Sequence, residues 1–344
     1  MRESPAQSAL VTGGCGFIGR HLTNLLVERG YDVRVLDLQE WPGAPRGVDL
    51  RRGSILDRAA VASAMEGIGT VFHLAANPNL WAPDPRMFHE VNYEGTCRVL
   101  EAAGKAGVSR FVYTSTESIL KNIRAPNGSD RSLIDESVEL DIGDVWGAYC
   151  RSKFLAETAA RKAARDGAPV VIVNPTMPLG PGDGLLTPPT RMLLGFLNGA
   201  TPAYLDCEFN LVDARDVAIG HLQAAERGRV GERYILGGEN MLLGHVLELL
   251  REMTGLPIAR WRVPYPLAYL AGLVSEGISR LTHQPPVAPL TGVVLARSSM
   301  AFDCRKAQHE LGWNPRPLRQ SLLDTILDLQ RRGLLRRDLR PSLA

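Results

Sequence analysis

The chain has 344 residues, with 39 basic against 37 acidic side chains and a formal net charge of +2. That balance offers no basic field for nucleic acid, and the length admits one large α/β domain with insertions or a major domain with a small lobe. Five scattered cysteines, with no C-x-x-C pair and no histidines at zinc spacing, read as a reduced, cytoplasmic chain without a metal site.

The opening "MRESPAQS" lacks a basic segment leading into a long apolar run, so no signal peptide is expected. Short β-branched runs then alternate with helical stretches. Strands are expected at 9–13, 32–37, 48–54, 70–76, 110–116 and 169–175, and helices near 17–29, 58–66, 86–104 and 147–165. This alternation predicts an α/β fold, a Rossmann-type doubly wound parallel sheet with a smaller C-terminal substrate lobe. Residues 1–175 read as the dinucleotide-binding domain, 214–236 as a segment packing back on it, and 176–344 as mainly the substrate-binding lobe. The most lipid-compatible segment is "VPYPLAYLAGLVSEGISRLT" (263–282). It reads first as a partly buried amphipathic helix and second as an interfacial membrane helix; no apolar run reaches the ~18 residues of a membrane span. The basic tail "RRGLLRRDLRPSLA" reads as a solvated helix end.

The stretch "SALVTGGCGFIGRHL" matches G-x-G-x-x-G at Gly14, Gly16 and Gly19, and G-x-x-G-x-x-G at Gly13, Gly16 and Gly19. It follows an expected strand and opens an expected helix, the context in which backbone N–H groups approach a pyrophosphate. The second strand ends at Asp37, from which a carboxylate accepts hydrogen bonds from ribose hydroxyls and repels a 2′-phosphate. NAD is therefore expected in preference to NADP. A glycine turn serving only strand–helix packing would leave Asp37 unexplained.

Tyr149 and Lys153 stand four residues apart at the start of an expected helix and so share one face. A phenol titrates near ~10, and a neighbouring cation favours its ionised form, which suits it to exchange a proton with a substrate hydroxyl. The strand "RFVYTST" brings Ser115 and Thr116 to the carboxyl edge, where a hydroxyl can position the same oxygen.

These residues resemble the extended short-chain dehydrogenase/reductases, also called NAD-dependent epimerase/dehydratases. The matching pieces are "TGGCGFIG", "VLD", "VFHLAA", "VNYEGT", "VYTST", "YCRSK", "NPTMPLGPGD", "LVDARDVA" and "DCRKAQHELGWNPRP". The resemblance implies that Gly13, Gly16, Phe17, Ile18, Gly19 and Asp37 hold NAD, with Ser54, Ile55, Leu74, Ala75, Ala76 and Pro175 around it. It further implies a catalytic triad of Thr116, Tyr149 and Lys153, the last two also touching the cofactor, and a homodimer. Two departures stand out: Thr116 replaces a frequent serine, and Ser54 stands where an aspartate often meets the adenine.

Within the family the chain is most similar to hopanoid-associated sugar epimerases, and more distantly to the 3β-hydroxysteroid dehydrogenase and dihydroflavonol reductase branches. Nucleotide-sugar members commonly carry an arginine before the "xxVxD" strand, where this chain has Phe209. With Trp81, Trp146, Met177 and Met192 expected around the pocket, the reading favours a lipid-like alcohol or ketone: a sterol, terpenoid or hopanoid-linked compound. A sugar epimerase or dehydratase that retains NAD stays open, as does a non-catalytic NAD-binding module. The segment 117–147, including Glu117, reads as one side of the substrate entrance, and peripheral membrane contact also stays open.

Overall fold

The computed structural model describes residues 7–121, 133–297, 301–337 and 339. The expected entrance segment is thus described except for 122–132, and the end of the basic tail lies outside the described residues.

The six expected strands are present: β1 (Ser8–Thr12), β2 (Asp32–Asp37), β3 (Asp49–Arg52), β4 (Thr70–His73), β5 (Arg110–Thr114) and β6 (Val170–Pro175). Between them run α1 (Phe17–Glu28), α2 (Arg58–Met65), α3 (Arg86–Phe88), α4 (Thr96–Ala106) and α5 (Gly147–Arg165). The single helix expected at 86–104 is in fact interrupted. A π-helical turn, His89–Gly95, joins α3 to α4 and rotates its side chains out of α-helical register.

The remaining elements are β7 (Met177–Leu179), α6 (Pro188–Leu197), β8 (Ala203–Tyr204), β9 (Glu208–Asp213), α7 (Ala214–Arg227), β10 (Arg233–Leu236), β11 (Glu239–Leu242), α8 (Leu243–Thr254), β12 (Trp261–Arg262), α9 (Tyr265–Thr282), α10 (Leu290–Leu295), α11 (Arg305–Leu311) and α12 (Leu318–Arg331). β10 adds a seventh strand to the main sheet, whose order is β10-β6-β5-β4-β1-β2-β3. All its pairings are parallel, and the chain order reverses between β1 and β4, which opens a crevice at the carboxyl edge.

Alternation along the strands explains the two layers. Val11, Val35, Phe72 and Val112 face one core with Leu22 and Leu26 of α1 and Val217 and Leu222 of α7. Their neighbours Leu10, Leu36, Val71 and Phe111 face a second core with α2, α4 and α5. Both faces of a parallel sheet are therefore covered, which is why its strands read as nearly continuous apolar runs. A smaller sheet, β11-β9-β7, stands beyond the carboxyl end of β6.

The helix expected from 263–282 forms as α9, partly buried, with its small residues rather than its large apolar ones facing inward. Only Gly272 and Ser279 are buried, while its leucines, Val274 and Ile278 are exposed. Small residues permit the close approach to α10, so the large apolar ones are left outside.

Candidate active site

The glycine turn is built by close backbone approach. Gly13 has φ +74°, and a Cβ on it would lie 2.7 Å from the Ala75 nitrogen. A Cβ on Gly19 would lie 2.2 Å from the Gly13 carbonyl oxygen, so only glycine lets α1 start this near β1. Gly16 caps α1 without a side-chain hydrogen bond, and the first turn carries no acidic residue. Its leading amides are thus left for an anion. Asp37 straps the turn from β2: one carboxylate oxygen accepts from the Cys15 amide at 2.9 Å and the other from the Gln39 amide at 2.9 Å. Burial and the Asp37 charge push the Cys15 thiol up to about 11, so it stays protonated.

Beside Asp37 lies a cavity of about 330 Å³ lined by Cys15, Val35, Gln39, Trp41, Arg51 and Arg52 among others. Arg20 packs over the Trp41 ring at 5.3 Å. The residues fit a dinucleotide: a glycine cradle a Cβ would fill, an open helix N-terminus and an adjoining cavity at the end of β2. Leu74, Ala75 and Ala76 follow β4 next to Gly13, and Pro175 ends β6 at the same carboxyl edge. Ser54 and Ile55 follow β3. The Ser54 hydroxyl accepts from the Leu56 amide at 3.1 Å, and buried Ile55 packs on Gly95, where a Cβ would lie 2.5 Å from its Cδ1. Phe17 is buried edge-on against His21, and half-buried Ile18 packs on the first core.

At the ends of β5 and α5 the structure brings together Thr116, Glu117, Tyr149 and Lys153; the first two and Lys153 are buried and Tyr149 is half-buried. Thr116 is among the groups that act on the Tyr149 phenol. The Thr116 hydroxyl donates to Glu117 Oε2 at 2.8 Å, and Glu117 Oε1 accepts from Ser118 Oγ at 3.1 Å. Burial raises the Tyr149 phenol, with the Thr116 hydroxyl opposing this and the Glu117 charge pushing it further up. Lys153 Nζ donates to the Thr114 carbonyl at 2.6 Å and lies 4.8 Å from the centre of the Tyr113 ring. Burial pushes this ammonium down to about 7, against the pull of Glu157 one turn along the helix. Burial also raises the Glu117 carboxyl, opposed by its hydroxyl donors and by Lys121.

A buttress stands behind this edge. Asn174 Nδ2 donates to the Thr116 carbonyl at 3.1 Å and to Glu157 Oε2 at 2.8 Å, and Glu157 Oε1 pairs with Arg233 at 3.0 Å. A second hydrogen-bonded chain passes beneath the glycine turn. Thr96 donates to the Asn92 carbonyl at 2.6 Å, so it accepts from His73 Nε2 at 2.9 Å, and His73 Nδ1 accepts from Thr12 at 2.7 Å. Asn92 Nδ2, on the π turn, reaches Ser152 Oγ of α5 at 3.0 Å.

Of the residues expected around the substrate, Glu117 joins the Thr116 cluster directly. Met177 and Met192 pack on the same core as Tyr149, while Phe209 lies inside that core on β9, opposite Met241. Trp146 immediately precedes α5 and is 36% exposed, and Trp81 is half-buried in the segment after β4; the structure does not gather these two tryptophans with the methionines. Sequence reasoning missed Asn92, Asn174, Arg233 and the paired arginines Arg51 and Arg52. Only the last had a local signal, two consecutive arginines at a strand end.

Comparison with known proteins agrees in extent and kind. A model of the NAD dependent epimerase/dehydratase family matches residues 9–237. The chain is 36% identical over 343 residues to a Synechocystis sp. protein named for dihydroflavonol 4-reductase, covering 96% of this chain and 97% of that one. It is 29% identical over 333 residues to sterol demethylase protein B of Methylococcus capsulatus, covering 95% and 100%. The crystal structure of gox2253 superposes with a TM-score of 0.82 at 34% identity, covering 96% and 100%.

Proposed function

Because the chain belongs to the NAD-dependent epimerase/dehydratase family, the extended short-chain dehydrogenase/reductases, and is an enzyme of that type, we propose that it interconverts a secondary alcohol and a ketone on a hydrophobic substrate. The substrate class is a sterol, terpenoid or hopanoid-linked compound. The observation that carries this reading is the gathering of Thr116 and Tyr149 at the sheet's carboxyl edge, with Lys153 one helical turn from Tyr149.

In this reading residues 1–175 with 214–236 hold the cofactor, and the rest of 176–344 holds the substrate. Gly13, Gly16, Gly19 and the α1 N-terminus would hold the pyrophosphate and Asp37 the ribose, and the Asp37 carboxylate selects NAD over NADP. Bound there, NAD supplies a two-electron acceptor or donor. Tyr149 moves the proton at the substrate oxygen, Thr116 orients that oxygen by hydrogen bonding, and Lys153 supplies positive charge that lowers the cost of the phenolate. Phe209 supports the hydrophobic substrate: it presents no guanidinium to a diphosphate, and it sits in apolar surroundings shared with Met177 and Met192. The name of the Methylococcus relative agrees with a sterol-like class.

A second reading, a sugar epimerase or dehydratase that retains NAD, is favoured by Arg191. This guanidinium on α6 reaches Asn79 Oδ1 at 2.8 Å, beside the segment after β4. The test is absorbance at 340 nm as pooled sterol and terpenoid alcohols are added with NAD or with NADP. We expect NADH to accumulate with NAD, weaker use of NADP, and a loss of about 100-fold or more in kcat for Tyr149→Phe. No absorbance change across the panel, with NAD retained through purification, would overturn net oxidation and send the enzyme to nucleotide sugars.

A further inference from the structure

α9 is turned inside out for a helix of a water-soluble surface. Its inner side is made of small or polar groups. Gly272 packs on Leu290, Ser275 Oγ accepts from the Ala288 amide at 3.3 Å, and Glu276 Oε1 accepts from the Leu290 amide at 3.0 Å. Its outer side carries Leu267, Leu270, Leu273, Val274, Ile278 and Leu281, each between 45% and 85% exposed. At 100° per residue these six cover an arc of about 140°, one continuous apolar face. Val287, 94% exposed in the turn that follows, extends it. Glu276 is the one acidic residue of the helix, and its carboxylate is turned inward.

The ends of this face are basic. Across 257–297 the sequence has four arginines, Arg260, Arg262, Arg280 and Arg297, against Glu276 alone, and Asp206 from outside this segment pairs with Arg262 at 3.2 Å. Trp261, 79% exposed between the first two, stands at the entry to the helix. An apolar stripe with an interfacial tryptophan and arginines at both ends matches the layers of an anionic bilayer surface, acyl chains beneath charged headgroups. The same charges oppose self-pairing: a two-fold antiparallel contact would set Arg280 of one copy towards Arg260 and Arg262 of the other. No helix among the described residues is long and apolar enough to cross a membrane.

We propose that α9 is a docking surface for anionic phospholipid membranes, lying in the interface plane. The docked helix borders the catalytic edge. α10 packs beneath α9, its Thr291 side chain fills the space a Cβ on Gly147 would need, and its Leu295 carbonyl accepts from Lys121 Nζ at 2.5 Å. Docking would therefore set α10, and behind it the Gly147 start of α5, on the side of α9 away from the lipid. The surface stands independently of the substrate class proposed above, since vesicle binding needs no turnover.

The experiment is co-sedimentation of the full chain with vesicles of phosphatidylcholine alone or with about 30 mol % phosphatidylglycerol, at low and high salt. We expect binding to the anionic vesicles, weakened by salt, and at least about tenfold less to phosphatidylcholine alone. The double variant L270E/I278E places two carboxylates on exposed positions and should abolish binding while circular dichroism and thermal midpoint stay unchanged. Arg260→Ala with Arg280→Ala should weaken anionic binding and leave the fold intact. Binding that is absent, or equal in wild type and L270E/I278E, overturns the proposal. So does sedimentation velocity showing a dimer that L270E/I278E dissociates, which would make the face a contact between two copies.

Discussion

Glu117 shows how one side chain can tune the reacting phenol from outside it. Its carboxylate accepts the Thr116 hydroxyl at 2.8 Å, which fixes the orientation of a hydroxyl that acts on the Tyr149 phenol. Its charge also pushes the Tyr149 phenol up, while burial raises its own carboxyl above the usual range. Removing that charge favours the phenolate, so in Glu117→Gln the rising limb of kcat/KM for alcohol oxidation should move to lower pH, by about one unit. A pH–rate profile with an unmoved limb would show that the Glu117 carboxyl is already neutral across the working range. Glu117 was visible in the sequence as a neighbour of Thr116. Its contact with the Thr116 hydroxyl depends on how the backbone turns after β5, which local spacing does not specify.

At the scale of elements, Arg233 ties three pieces together. From β10 it pairs with Glu157 of α5 at 3.0 Å and donates to the carbonyls of Glu136, at 2.9 Å, and Val138. Both members of the pair are nearly inaccessible, with side chains 9% and 3% exposed. Breaking such a pair strands a buried charge, so Arg233→Met should cost about 3–5 kcal/mol, read by urea denaturation. Adding Glu157→Leu should recover part of that loss, because the two sites are coupled through one contact. A loss below about 1 kcal/mol for Arg233→Met would place the pair among screened surface contacts instead. The pair joins residues 76 positions apart in sequence; parallel registry between β6 and β10 creates it, and no spacing rule announces it.

Across the whole molecule, two buried histidines set the response to acid. Burial pushes His73 down to about 3 and His221 down to about 4, while an unfolded chain protonates near ~6.5. Above ~6.5 both states are neutral and neither histidine contributes. Between ~6.5 and the folded values the unfolded chain binds two protons that the folded one declines, so stability falls as pH falls, by about 3 kcal/mol per unit at most. The raised carboxyls of Glu117 and Glu136 oppose part of this slope. Urea midpoints should therefore begin to drop near pH 6, and a flat midpoint down to about pH 5 would exclude the histidines as the cause. His73 also joins the Thr12 end of β1 to the π turn that carries Asn92, so its neutral form belongs to the same network as the glycine turn.

What the sequence by itself determined were features whose cause is local. Strand alternation, the Gly13–Gly19 turn with Asp37 one strand later, and the shared face of Tyr149 and Lys153 follow from backbone sterics and from the 2- and 3.6-residue periods. Tertiary structure alone decided the seventh strand, the π turn that hands Asn92 to Ser152, the Asn174–Glu157–Arg233 buttress and the facing of α9. Each depends on which distant surface an element meets. Periodicity shows that α9 segregates large apolar residues from small ones; only packing against α10 selects the small side as the inner one, because Gly272 and Ser275 permit an approach that leucines would block.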